Sequence, residues 1–550
     1  MMKLWIVIVL LCACLAPLSA EDLRFVAING RTEYRLSGFP KEIAGHVIIP
    51  ARWQGKPVTA IGDSAFARSK ITGVTIPSSV RTIGRSAFDR CMSLRRVRIP
   101  ESVTNIAASA FFLCTKLERV EFSEGLISIG DLAFSGCHAL REMDLPDGLV
   151  VLGPHAINGC VSLERIMLPA SLRRLGMGAL SVNTKLKKIR IPKGITVLEY
   201  GVFNGNTALV DVGLPDGLRS IGWRSFAGCT ALQDVEIPDT VHTIDREAFQ
   251  RCTALGTIEL PNAVTNLGEF AFDRCTRLAK LEGGRGLRGI GKGAFRDCAA
   301  MTEFRIPNGM HRLGDETFKG CRSLREIVLP ASLSEIGEEA FRDCTALTRF
   351  AIPAGVTKIE RLVFSGCTGL QNFSVAAGNT TFRSIDGVLF SADGTTLILY
   401  PVARSGAYTM PAGTTTIGDY AFFQSTALTG ITFPAGLTRI GEWSFSECQS
   451  LKSVRVPDSV TFMGRGVFRD CRQLVTAVVG SGVRNVSHTV FAECTALAEV
   501  TMRGSMPPAG GRDMFMHCPT SLVIRVPVAT IGAWRSAEWW SAVAARMRGI

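Results

Sequence analysis

The sequence predicts a repeat solenoid, a stack of 23-residue coils built on short parallel strands. A pattern of 23 positions recurs through nearly the whole chain, and its columns do not drift: Phe88, Phe111 and Phe134, then Cys91, Cys114, Cys137 and Cys160, then Pro77 and Pro100 keep that spacing. The size agrees, because 550 residues exceed what one compact core organises, whereas stacked repeats have no such limit. Hydrophobic residues at 47% and charged residues at 20% exclude a disordered chain. A chain of this kind presents a long regular surface in place of a closed catalytic pocket, which argues for a binding scaffold and against an enzyme.

In chain order, residues 1–20 read as a secretory signal: Met1-Met2-Lys3, then an apolar run from Leu4 to Ala13 too short to span a bilayer. Two processing sites compete. Cleavage after Ala20 is favoured, although Leu18 is large for that position; the other reading is a lipobox, Leu11-Cys12-Ala13-Cys14, in which Cys14 would be acylated, with Cys12 atypical. Residues 21–60 are expected to form an N-terminal cap, 61–372 a first run of coils, 373–412 an inserted hairpin, 413–502 a second run, and 503–550 the last repeat and a C-terminal cap carrying Trp534, Trp539 and Trp540.

Within one coil, Leu94-Arg95-Arg96-Val97-Arg98-Ile99-Pro100 alternates apolar and polar residues and stops at a proline, the signature of a short strand. Val97 and Ile99 are assigned to the interior, Arg96 and Arg98 to the outside. A second apolar element, Val80 to Ile83, leads into Gly84, and Ala87-Phe88 follows, the alanine allowing close approach and the phenylalanine filling the space between coils. The phenylalanine column runs through nineteen coils from Phe66 to Phe515, with Ile157 and Leu180 standing in at two of them.

These residues resemble the BspA-like, or treponema-type, branch of leucine-rich repeats, whose pattern couples Ile-Gly, Ala-Phe, Cys-x-x-Leu and a strand ending in proline. The match extends from about Gly55 to the C-terminus, and the segments Val47 to Pro50 and Ser384 to Phe390 resemble that family's opening coil and inserted hairpin. The resemblance implies an α/β leucine-rich repeat solenoid with short parallel strands and few helices. It also implies an exported cell-surface protein that binds host matrix, host cells or other bacteria, without enzyme activity or cofactor. A periplasmic or envelope scaffold joining other envelope components is the alternative.

The cysteines bear on chemistry. Fifteen of the seventeen, Cys91 to Cys518, occupy one column that elsewhere holds Ser69, Asn183, Asn206 or Ser425. Cysteine, asparagine and serine share small size and a polar hydrogen, so the column is expected to donate to backbone carbonyls as buried free thiols and not to form disulfides. His242 and His311 share a phase but lie three coils apart, so no metal site is expected. Gly284-x-Gly286-x-x-Gly289 fits the dinucleotide fingerprint by letter, but it falls within a coil with no helix to follow.

The net charge of +13 favours anionic partners, a protein or an acidic glycan. Nucleic acid is not expected of an exported chain, and membrane contact only through a lipid anchor. Between Glu164 and Glu199 no acidic residue occurs, yet Arg165, Arg173, Arg174, Lys185, Lys187, Lys188, Arg190 and Lys193 do, and they are the candidate ligand-binding residues, a basic patch across two adjacent coils. Outward strand positions change from Arg96, Arg98 and Arg119 to Asp211, Asp234, Glu236 and Glu259, which predicts a bipolar strand surface.

Overall fold

The computed structural model describes residues 22–39 and 43–550, so the leader and Cys14 lie outside the described residues. It contains two compact units, one ending at Thr253 and one spanning Ala254–Ile550.

In the first unit each coil contributes three hydrogen-bonded ladders. Arg96–Arg98 alternates exposed, buried, exposed, and pairs in parallel with Arg119–Glu121 in strict register, Arg96 opposite Arg119. After Pro100 a tight turn, closed by the Val103 amide donating to the Pro100 carbonyl at 3.0 Å, leads to the two-residue strand Asn105–Ile106. That strand pairs in parallel with Thr82–Ile83 on one side and Ser128–Ile129 on the other.

The third ladder is made of turns. Ser86, Phe88 and Arg90 donate their amides to the carbonyls of Ala108, Ala110 and Phe112 in the next coil at 3.0, 2.7 and 2.7 Å. Ser86 and Arg90 are left-handed, with φ of 52° and 53°, and the same two positions are left-handed in most coils. Glycine occupies these positions at Gly136, Gly178 and Gly201, because it reaches positive φ without steric cost. The sequence assigned no hydrogen-bonded role to this segment, and the glycine enrichment was the available signal.

Each ladder buries a row of apolar residues. Val97, Val103, Ile106, Ala110, Phe111 and Leu117 are buried, and the phenylalanine rings stack: Phe88 to Phe111 and Phe111 to Phe134 are both 5.0 Å between centroids, with planes within 5°. Phe39 joins the column, 5.8 Å from Phe66. At the start of the unit, Arg24–Ile28 and Glu33–Gly38 form an antiparallel pair, and Glu33–Gly38 then pairs in parallel with Lys56–Ile61, which hands the sheet to the first coils.

The second unit repeats the same coil. Glu303–Arg305 lies parallel to Glu326–Val328, and Phe295, Phe318 and Phe341 stack at 5.5 and 5.6 Å. Between Phe364 and Phe422 the coil pattern gives way to an antiparallel meander: Phe382–Ile385 pairs with Val388–Ser391, which pairs with Thr396–Leu399. Asp386 and Gly387, both at positive φ, make the two-residue hairpin turn. Tyr400 then takes the place of a ring in the column, 4.7 Å from Phe422.

The far end of the unit is covered by the helix Ile531–Ser536 and by Met547–Gly549, parallel to Val523–Val526. Trp534 and Trp540 are buried edge to face at 4.9 Å, and Trp540 closes on Phe515, so the last ring of the column is not left facing water. Trp539 stays exposed, with the Arg512 guanidinium 5.6 Å from its ring. This is the only α-helix among the described residues, in keeping with the expected scarcity of helices.

Candidate binding surface

The column expected to donate to carbonyls does so. In the first unit Cys114, Cys137 and Cys160 donate their thiols to the carbonyls of Phe88, Phe111 and Phe134 at 3.1, 3.3 and 3.3 Å. In the second, Cys321, Cys344 and Cys367 reach Phe295, Phe318 and Phe341 at 3.1, 3.2 and 3.0 Å. All fifteen described cysteines are free and buried. Where asparagine replaces cysteine the same acceptor is kept: Asn183 Nδ2 donates to Ile157 and Asn206 Nδ2 to Leu180, both at 3.0 Å. Burial pushes the Cys229 and Cys367 thiols up to about 12, which disfavours the thiolate that nucleophilic attack or metal binding requires.

Elsewhere the described residues offer little for chemistry. No group of three His, Cys, Asp or Glu among them could hold a metal ion. Gly284 and Gly286 lie between the strands Lys280–Gly283 and Gly289–Ile290, which Gly289 begins, with no helix following, and a Cβ at Gly286 would fall 1.9 Å from the Asn262 carbonyl. Those glycines serve close approach between coils.

The strands of the first unit carry its outward charges. Arg96, Arg98 and Arg119 rim a depression of about 590 Å³ whose lining includes His46, Gly73 and Glu121. Gly73 keeps it open, because a Cβ there would fall 2.6 Å from His46 Nδ1. His46 Nε2 lies 2.8 Å from Thr75 Oγ1. Arg119 pairs with Glu121 at 3.2 Å and Arg95 with Glu118 at 2.5 Å. Arg96 and Arg98 are exposed and have no acidic partner among the described residues. Two guanidiniums of one sign thus stand over a concave surface, an arrangement that holds carboxylate, sulfate or phosphate oxygens.

The basic stretch from Arg165 to Lys193 is arranged differently from a single patch. Arg165, Lys188 and Arg190 lie on the three-residue strands Arg165–Met167 and Lys188–Arg190, with Lys187 just before the second. Arg174 lies on the two-residue strand Arg174–Leu175, in a different sheet, and Arg173 precedes it. Lys185 and Lys193 are exposed in the connecting turns.

Acids from neighbouring coils also reach several of these residues. Arg165 bonds Glu142 at 3.1 Å and Asp144 at 3.2 Å, and Arg174 lies 3.5 Å from Glu199. Arg190 grips Asp211 with both terminal nitrogens at 2.7 Å, and Lys188 lies 3.9 Å from the same carboxylate. Stacking explains the difference: a stretch free of acids along the chain is bordered in space by residues about 23 positions away. Arg173, which donates to the Ala170 and Leu172 carbonyls, and Lys185, Lys187 and Lys193 are the members without a carboxylate partner among the described residues.

A family model described as the BspA type leucine rich repeat region matches residues 59–187, 181–301, 288–395 and 406–522. No curated protein matches the sequence. Among solved structures, a leucine rich cell surface protein from Faecalibacterium prausnitzii is 20% identical, covering 93% of this chain and 95% of its own, with a TM-score of 0.43. A leucine-rich repeat protein from Bacteroides ovatus is also 20% identical, over 92% and 98% of the two chains, with a TM-score of 0.39. The T. pallidum leucine rich repeat protein is 28% identical over 40% of this chain and 91% of its own, with a TM-score of 0.31. Among the described residues no helix is long and apolar enough to cross a membrane. With its family model matched over most of its length and its coils stacked in register, the chain belongs to the BspA type leucine rich repeat proteins.

Proposed function

We propose that this chain is an exported binding scaffold displayed at the cell surface, an adhesin that contacts host matrix, host cells or other bacteria through an anionic protein or glycan. The observation that carries this reading is the pair Arg96 and Arg98, exposed and without acidic partners at the rim of the strand-side depression of about 590 Å³. Lys187, on the same strand side of later coils, extends the anionic ligand's footing, while Arg165, Lys188 and Arg190 orient through the carboxylates they already hold. Catalysis has no place in it, because the surface offers charge and shape without an activated nucleophile or a paired acid and base.

The purified chain is tested on immobilised sulfated glycan and on acidic matrix protein, with Arg96→Glu/Arg98→Glu and Lys187→Glu compared to the parent. Binding that weakens with salt and is lost in the double variant supports the reading, and binding unchanged by charge reversal at all three positions overturns it. Display is tested separately by adding protease to intact cells. Cleavage supports surface exposure, and full protection favours a periplasmic or envelope scaffold.

A further inference from the structure

One column of the turn ladder changes character over four coils. Three residues before each column phenylalanine, the first unit holds Asp63, Arg85, Ala108 and Asp131, then Pro154, Met177, Tyr200 and Trp223, and then Arg246. The second unit holds Glu269, Lys292, Asp315, Glu338 and Arg361 at this position, so a charge is the rule. Ala108 and His488 are isolated departures, but Pro154, Met177, Tyr200 and Trp223 come in succession, and the backbone makes them adjacent rows: the amides of His155, Gly178 and Gly201 donate to the carbonyls of Met177, Tyr200 and Trp223 at 2.7, 2.8 and 2.8 Å.

These side chains remain at the surface. Met177 is 42% exposed and Trp223 41%, and the Tyr200 and Trp223 rings meet at 4.9 Å with their planes 71° apart. Trp223 is held by two arginines. The Arg224 and Arg246 guanidiniums lie 5.7 and 5.6 Å from its ring, and both are tied to buried Glu247, at 2.5 and 2.9 Å. An exposed aromatic fixed in this way loses little side-chain entropy when a ligand covers it.

The ground beside these rings is low and polar without net charge. Gly178 and Gly201 follow Met177 and Tyr200; a Cβ at Gly201 would meet nothing nearer than Asn204 Cβ at 3.6 Å, whereas the His155 ring lies against Gly178, 2.4 Å from where its Cβ would be. Asn158, Ser181 and Asn204 stand in the next column; buried Ser181 is closed off, accepting from Asn158 Nδ2 and donating to the Gly178 carbonyl at 2.8 Å, whereas the half-buried Asn204 side-chain amide has no protein partner among the described residues. The charges bordering the area are engaged: Arg224 with Glu247, and Glu199 with Arg174 and with the Met177 amide at 3.0 Å.

We propose that Met177, Tyr200 and Trp223, with Asn204 beside them, form a binding platform for an uncharged oligosaccharide. A pyranose ring has a face of C–H groups that packs on an aromatic ring and a rim of hydroxyls that donate and accept at once, which the side-chain amide of Asn204 matches. An acidic ligand would find no free cation on this platform. The site lies on the turn ladder, not on the strands with Arg96 and Arg98, so it stands independently of the anionic-ligand reading.

The test is an array of immobilised neutral tetrasaccharides (cellotetraose, maltotetraose, chitotetraose and mannotetraose), followed by calorimetric titration of any that bind. Tyr200→Ala, Trp223→Asp and Asn204→Ala are compared with the parent; the first two place residues that this column already accepts at Ala108 and Asp131. The expected result is binding of at least one tetrasaccharide, insensitive to salt, weakened about tenfold or more by Tyr200→Ala and by Trp223→Asp, and weakened by Asn204→Ala. Continued protection of the thiols from a thiol reagent certifies each variant as folded, and Tyr200→Phe, which keeps the ring, is expected to retain binding. No tetrasaccharide bound, binding indifferent to Tyr200→Ala and Asn204→Ala in folded protein, or retention only of acidic glycans with steep salt dependence would each overturn the proposal.

Discussion

The backbone amide of Cys160 donates to Oδ1 of Asn183 in the next coil at 2.9 Å, a bond that a cysteine in place of Asn183 could not accept in the same way. Asn183 also donates through Nδ2 to the carbonyls of Ile157 and Leu180, both at 3.0 Å, so one side chain joins two coils. Asn183→Ala is therefore expected to destabilise the first unit by about 2–3 kcal/mol, because buried polar groups lose their partners. Asn183→Cys should lose less, since a thiol reaches the Ile157 carbonyl as its neighbours reach theirs. Urea unfolding of both variants checks the order, and equal losses would contradict it.

The thiol column sets a limit on the alkaline side. Burial pushes Cys229 and Cys367 up to about 12 and Cys518 to about 11, whereas an unfolded thiol ionises near ~8.5. The folded chain holds these protons more tightly, so the stabilisation is complete below the unfolded value and falls as pH rises through the folded ones. Circular dichroism against pH should show unfolding that steepens above ~9. Cys229→Asn, a residue the column uses elsewhere, should move that limb upward.

At acid pH the sign reverses. Burial opposes ionisation of Glu247, but hydrogen bonds from Arg224 and Arg246 outweigh it and hold the carboxyl below the usual carboxylate range. Its contribution is present above the unfolded carboxylate value and is lost as pH falls through the lowered folded value. Stability measured from neutral to acid pH should decline less steeply in Glu247→Gln than in the parent, from a lower starting point. An unchanged acid slope would show that the two arginines do not depend on this charge.

Glycines at one column position should differ in their tolerance. A Cβ on Gly125 would lie 2.0 Å from the Glu101 carbonyl, whereas one on Gly436 would meet nothing within 4 Å. Elsewhere in that column Ser171 and Ser459 donate to the Leu149 and Leu437 carbonyls, both at 2.6 Å, so a side chain is welcome where room exists. Gly125→Ala is expected to cost about 1–3 kcal/mol and Gly436→Ala to be neutral or mildly stabilising. Thermal melts of the two variants test the contrast.

The columns made the coil legible in the sequence. Phe111 stacks, Val97 faces inward, Arg96 faces outward and Cys114 donates to a carbonyl because each residue type suits one place on a coil that recurs every 23 positions. Two things were hidden. The turn ladder through Ser86, Phe88 and Arg90 has no periodicity of helix or strand, and only the glycines at its left-handed positions marked it. The partners of Arg165, Arg174 and Arg190 were hidden too, because Glu142, Glu199 and Asp211 lie about a coil away along the chain. Phe39 escaped the column because its spacing to Phe66 is longer than a coil, and Tyr400 because a tyrosine after Leu399 lacks the Ala-Phe pattern. The run from Pro154 to Trp223 was readable in principle, but only once the column was known to face solvent.

Everything above depends on residues 23 apart becoming neighbours on adjacent strands. Glu303 and Glu326 are register partners on exposed positions of parallel strands, and neither takes part in a proposed site. Spin labels attached through Glu303→Cys and Glu326→Cys, with the buried native thiols unlabelled, measure their separation directly. The structure predicts strong dipolar coupling at one strand spacing, about 5 Å between the backbones, and uncoupled labels several strand spacings apart would contradict it.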